Sequence, residues 1–241
     1  MPSAADVDLF RVVQGELSGR AVRDLERYWA TLDLTKPESV RDGLLEFVPV
    51  VTTVYGEATA TAAADWYDEL RATEGVTGRY AASAAAPVVA DQVQARVRYG
   101  ARHLFTDTPE RIMPFLSGAV DEYALQPGRD TVQQSSIADP KAGGWHRETR
   151  ANACGFCKML AARGAVYRKE TASFAAHGSC GCVAVPSWDS NAPEVPATAY
   201  VASERWDGVR ARAANGDAGA QQQLDENRRR VREHIAANYS D

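Results

Sequence analysis

Apolar residues recur at steps of three and four along the first third of the chain, the period that gathers them on one face of an α-helix. Between residues 6 and 32 the set is Phe10, Val13, Leu17, Ala21, Leu25, Tyr28 and Leu32, while Arg11, Arg20, Arg23, Asp24, Glu26 and Arg27 fall mostly elsewhere. The spacing predicts an amphipathic helix that breaks at Asp33 to Pro37. Thr35 and Glu38 have capping-box spacing for the next helix, with Pro37 tolerated in its first turn. That second helix is expected over 38–74 on Leu44, Val48, Val51, Tyr55, Thr59, Ala62, Trp66 and Leu70. Pro49 lies inside the pattern. Lacking an N–H and crowding the preceding turn, it should kink the helix near Leu45 or divide it there. The small residues from Thr59 to Ala64 offer a face that another helix can approach closely.

Gly75 and Gly78 mark the exit from this segment. A third helix is expected over 87–104, entered by Pro87, and a fourth over 108–126, with Thr108 or Asp107 as its cap and Pro109 near its first turn. Pro114 fits that helix poorly, and Pro127-Gly128 should end it. The fold class is therefore mainly α, with an N-terminal antiparallel helical bundle over 1–140. No repeat of 20 to 50 residues is present.

After residue 140 the pattern changes. The stretch ADPKAGGWHRETRANACGFC is rich in turn formers. A short helix can follow over 154–163, and Ala165-Val166-Tyr167 and Cys182-Val183-Ala184-Val185 read as two short strands, the second ended by Pro186. Residues 141–190 are thus expected to form a small α+β module. Residues 191–241 form a Pro-containing linker and C-terminal helices over 199–214 and 217–238, separated by Asn215-Gly216.

Composition narrows the function classes. The 241 residues are 45% hydrophobic and 24% charged, an ordinary globular balance, and a net charge of −5 argues against electrostatic binding of nucleic acid by the chain as a whole. No apolar run approaches the roughly 20 residues that span a bilayer, and the acidic start MPSAADVDLF is not a signal peptide, so no membrane role is expected and folding in a reducing cytoplasm is. There, four cysteines suggest metal binding or catalysis before disulfides.

All four cysteines fall in one window, as Cys154-Gly-Phe-Cys157 and His177-Gly-Ser-Cys180-Gly-Cys182. A C-x-x-C turn can present two thiolates to one ion, and Gly178 and Gly181 allow an equally tight second turn. The arrangement points to a structural Zn2+ with Cys154, Cys157, His177, Cys180 and Cys182 as candidate ligands. Five candidates compete for four places. An all-thiolate set leaves His177 outside. A set of three thiolates and one imidazole leaves out one thiol, most naturally one of the close pair Cys180 and Cys182. Two other readings use the same residues: a disulfide pair, or a nucleophile at Cys154 with His177 as base and Asp189 as orienter. A group of cysteines suits the nucleophile poorly, because a single reactive Cys is the commoner pattern.

His103, His146 and His234 carry weaker signals, His146 being a conceivable further ligand. H-E-x-x-H, G-x-S-x-G and P-loop patterns are absent. Arg228, Arg229, Arg230 and Arg232 form a basic run on the last helix, read first as a solvated face and second as a contact to DNA or an acidic partner. Trp29, Trp66, Trp145, Trp188 and Trp206 are expected as core or interface anchors.

The block WHRETRANACGFCKMLAARGAVY, with FAAHGSCGCVAVP after it, resembles the C-terminal signature of MuF-like phage head-morphogenesis proteins over about residues 145–186. The helical first 75 residues are similar in pattern to the N-terminal part of the actinobacteriophage members, which are often labelled capsid maturation protease. The resemblance implies a minor capsid protein, few in copies, with the phage portal and the major capsid or scaffold proteins as partners. It would sit in the host cytoplasm during assembly and then in the virion head. The family's Cys-x-x-Cys falls on Cys154 and Cys157, and its His-x-x-Cys-x-Cys on His177, Cys180 and Cys182. Gly178 and Gly181 stand where many relatives have Pro and Arg. No Ser/His/Asp or Ser/Lys spacing here identifies a protease.

Overall fold

A computed structural model of the chain describes residues 2, 4–149, 153, 157, 160, 161, 167, 174, 176, 180–189, 209, 212, 213, 215–223, 225, 226 and 229. The fold is mainly helical. Four α-helices, α1 (Ala4–Trp29), α2 (Pro37–Thr73), α3 (Ala90–Ala101) and α4 (Ile112–Ala138), precede a two-stranded antiparallel sheet of β1 (Gly144–Glu148) and β2 (Val183–Ser187). Among the described residues no helix is long and apolar enough to cross a membrane.

Consecutive helices run antiparallel. Phe10 stacks on Trp66 at 4.0 Å and Tyr28 on Phe47 at 4.0 Å, which sets α1 against α2 head to tail. Phe10, Ala21 and Leu25 of the expected α1 face are buried, but in mid-helix the buried face shifts by one residue. Gln14 and Ser18 are buried, whereas Val13 is exposed and Leu17 only half-buried. The reason is polar: Gln14 Nε2 donates to the Thr59 carbonyl at 3.0 Å, and its amide fills the space beside Gly128 on α4. The predicted face of α2 is the observed one, with Leu44, Val48, Val51, Thr59, Trp66 and Leu70 buried.

Small residues let α2 and α4 meet closely. Gly56 lies under the Pro127 ring, and the Thr59 hydroxyl donates to the Ala124 carbonyl. A methyl group added at Gly128 would meet the Thr59 carbonyl oxygen at 3.0 Å, so glycine is what permits this approach.

The same contact explains why α4 does not end at Pro127-Gly128 and continues to Ala138. Proline forfeits one intrahelical bond, but its ring is packed against α2, and Thr131 Oγ1 donates back to the Pro127 carbonyl at 2.8 Å. Pro49 likewise leaves α2 undivided. The carbonyl it cannot serve, that of Leu45, accepts a bond from Gln94 Nε2 of α3 at 3.3 Å. Pro114 sits in the first turn of α4, where its missing N–H is unneeded.

Caps depart from expectation. Thr35 does not cap α2: its hydroxyl donates to Asp33 Oδ1 at 2.6 Å, and Lys36 holds the cap position. Pro87 packs on Gly56 three residues before α3 begins, rather than starting that helix. Thr108 precedes a short 3-10 turn, Pro109–Arg111, and α4 follows it.

The strand at 144–148, read from sequence as turn-rich, was hidden by its charges. Trp145 and Arg147 point inward while His146 and Glu148 are half-buried, an alternation with a guanidinium in an apolar slot. Tyr167 forms a single bridge to Trp145, with Trp145 N–H to the Tyr167 carbonyl at 3.1 Å and the reverse bond at 3.3 Å. Trp145 thus spends its backbone bonds on the Tyr167 side. Its partner in β2, Pro186, needs no N–H there, and β2 runs through the proline to Ser187. Of the expected 165–167 strand, residues 165 and 166 lie outside the described residues, as do most of 154–163, with Cys157, Leu160 and Ala161 helical. In the tail, Asn215-Gly216 forms the expected turn, with Gly216 at φ +89°, and helical residues flank it.

Two apolar clusters fill the interior. One joins α1 to α4 around Leu25, Leu44, Val97 and Leu116. The other joins Phe10, Trp66, Tyr67 and Val132 of the helices to Trp145, Phe174, Val185 and three cysteines. The cysteine-bearing segment therefore shares a core with the bundle.

Candidate metal centre

Cys157, Cys180 and Cys182 converge. Their sulfurs all lie within 4.8 Å of one another, and each residue is 1–3% exposed. Cys157 is on a helical residue following β1, while Cys180 and Cys182 flank Gly181 in the turn that leads into β2. Cys157 Sγ and Cys180 Sγ are 3.6 Å apart and unbonded. Ligands about 2.3 Å from a tetrahedral ion stand about 3.8 Å from one another, so these sulfurs have the spacing of ligands and not of a disulfide.

Both members of the close pair, Cys180 and Cys182, reach the cluster. Cys154 and His177, the remaining candidates, lie outside the described residues. So does the proposed Cys154–His177 half of a nucleophilic arrangement; Asp189 is described and exposed. His146, the conceivable extra ligand, is turned to Glu148, with Nε2 3.3 Å from Oε1, and does not join the thiols. His103 is half-buried in the 3-10 turn Arg102–Phe105. Of the basic run, Arg229 is helical and exposed, and Arg228, Arg230 and Arg232 lie outside the described residues, as does His234.

The electrostatics favour one ionised sulfur in the Cys180–Cys182 pair. Contact with Cys182 and its backbone, the Arg129 guanidinium and Cys157 lower the Cys180 thiol, against the opposing effect of burial. The same contact, together with burial, raises Cys182. The pair releases one proton readily and the second with difficulty, which is the behaviour a divalent cation reverses by binding both sulfurs.

Two residues that sequence reasoning passed over frame the site. Arg129 of α4 donates from Nη2 to the Cys180 carbonyl and from Nε to the Cys182 carbonyl at 3.3 Å. Arg147 of β1 places Nη1 at 3.9 Å from Cys157 Sγ and 4.0 Å from Cys180 Sγ. Both guanidiniums face the Phe174 ring, at 5.2 and 3.7 Å from its centroid. Arginine is seldom fully buried without a partner, but nothing in the local sequence marks these two. A second buried polar hub lies nearby: Asp139 accepts from Arg71 Nε at 2.9 Å and Trp188 Nε1 at 3.0 Å, tying the ends of α2 and α4 to the chain leaving β2.

Three buried cysteines this close could hold a metal ion. No curated protein and no solved structure matches the chain. Residues 1–206, from α1 through the cysteine centre, match the VG15 protein family, so the chain belongs to the VG15 family, a membership that points to a phage protein.

Proposed function

We propose that this chain is a MuF-like minor structural protein of the phage head, whose helical bundle docks on portal and capsid or scaffold protein and whose cysteine-bearing segment is held folded by one zinc ion. The observation that carries the reading is the burial of Cys157, Cys180 and Cys182 together against α4 and the sheet. Zinc takes four soft or borderline ligands at tetrahedral corners, and a closed site of that kind lends folding energy to a segment with little core of its own. Cys154 or His177 supplies the fourth ligand. Cys157, Cys180 and Cys182, with this little exposure, suit such a staple better than a nucleophile, which needs room for a substrate.

Co-expression with the portal, scaffold and major capsid proteins of its phage tests the assembly role. The chain is expected to sediment with procapsids and to leave capsid and scaffold protein at full length. Cys157→Ser and Cys180→Ser should lower its incorporation. Absence from the particles refutes the reading. So does cleavage of scaffold or capsid protein that stops in Cys154→Ser or His177→Ala while the fold is kept, which would make the chain the maturation protease.

A further inference from the structure

Arg129 is 4% exposed, and among the described residues no carboxylate forms an ion pair with it. Asp121 acts on it only at longer range. Its Nη1 is buried, with no hydrogen-bond partner among the described residues. A guanidinium so placed is costly unless negative charge stands close by. What stands close by is the Cys180–Gly181–Cys182 turn: both cysteine carbonyls accept bonds from Arg129, and the thiols lie beyond them. From β1, Arg147 reaches two of the three sulfurs. Two buried cations therefore stand beside the cysteine cluster.

Three thiolates around a divalent cation carry a net charge of −1, and four carry −2. An ion held this way is an anionic object in an apolar core, and it answers the charge that Arg129 otherwise lacks. The two carbonyl contacts also fix the backbone on either side of Gly181. That fixes where the Cys180 and Cys182 sulfurs point. We propose that Arg129 is the positioning residue of the metal centre: it clamps the Cys180–Cys182 turn in ligand geometry and, with Arg147, supplies the counter-charge that lets a thiolate-bound ion sit in the core. The proposal rests on the metal reading given above and extends it to residues that are not ligands.

The test is competition for Zn2+ between the full-length chain and a chromogenic chelator, with Co2+ absorption as a second readout. Outer partners of metal ligands typically contribute about 10- to 100-fold to affinity. Arg129→Gln is expected to weaken zinc binding by about that factor and to shift the cobalt–thiolate bands, because the turn is no longer held. Arg147→Gln should weaken binding in the same direction. Leu116→Ala opens a cavity in the apolar cluster that holds no cysteine and controls for general loss of stability; its zinc affinity should stay at the wild-type value. Should Arg129→Gln lose its helical circular dichroism, Arg129→Lys carries the test, since it keeps the charge but cannot span both carbonyls; weaker binding is expected there too. Unchanged affinity in the folded Arg129 variant, or an equal loss in Leu116→Ala, overturns the proposal while leaving the metal centre intact. A wild-type chain that binds neither Zn2+ nor Co2+ overturns both.

Discussion

Replacing Asp139 by Asn isolates what holds the helical frame to the cysteine-bearing segment. The Asp139 side chain is fully buried, and the Arg71 side chain is 8% exposed. Its two oxygens accept from Arg71 Nε at 2.9 Å and Nη2 at 3.5 Å, Tyr67 OH at 3.3 Å, Trp188 Nε1 at 3.0 Å and the Lys141 N–H at 3.0 Å. The substitution keeps the shape and removes the charge. Arg71 retains carbonyl acceptors at Val76 and Gly78 but loses its counter-ion. Breaking a buried pair from one side costs about 3–5 kcal/mol. At about 2–4 °C per kcal/mol for a chain of this size, the melting point should fall by roughly 6–20 °C. Thermal and urea unfolding followed by circular dichroism read this directly. In the cycle with Arg71→Met, the second substitution should cost less than it does alone, with a coupling of about 0.5–3 kcal/mol.

The sign of the pH dependence follows from the same contacts. Burial by itself would raise the Asp139 carboxyl, but Arg71, Trp188 and the Lys141 N–H together hold it below its ordinary value of 3.8. Folding therefore favours the ionised form. Its stabilisation is complete above that ordinary value and is lost as pH falls through the depressed folded one, so wild type and Asp139→Asn should converge on acidification. A variant within 1 kcal/mol of wild type at neutral pH, as judged against the cost expected for a buried pair, or strict additivity in the cycle, refutes the reasoning.

Two glycines of α4 should respond oppositely to alanine. Gly128→Ala drives a methyl group to 3.0 Å from the Thr59 carbonyl and 2.5 Å from Gln14 Oε1, so urea unfolding should show a loss of about 1–3 kcal/mol; Gly118→Ala meets nothing within 4 Å and should gain about 0.5–1 kcal/mol. Trp145, 1% exposed and stacked on Tyr167 at 4.4 Å, also borders Phe174; Trp145→Ala should cost about 3–5 kcal/mol by the same assay and raise thiol reactivity in the native state.

The first two helices were legible because each is long and carries apolar residues at a 3.6-residue period, as in α2 from Leu44 to Leu70. What escaped the sequence was settled by contacts between elements. Pro127 stays helical because Gly56 makes room for its ring, and no local rule records that neighbours across the bundle will be small. Gln14 displaced Val13 from the buried face of α1 for the same reason: its amide has a partner on α2, the Thr59 carbonyl. In β1, Arg147 occupies a core slot, so the two-residue alternation that marks a strand was masked by charge. The cysteines were the opposite case. Close spacing around Gly181 limits how far Cys180 and Cys182 can part, and the meeting with Cys157 was readable before any fold was known. Arg129 was not, because a guanidinium in mid-helix has the same local signature whether it faces water or sulfur.

The central claim is that Cys157, Cys180 and Cys182 are ligands of one structural ion, and elemental analysis of the purified chain tests it most directly. One zinc per chain is expected, with Cys157→Ser, Cys180→Ser and Cys182→Ser each losing most of it. A folded, metal-free protein whose thiols react freely in the native state would contradict it.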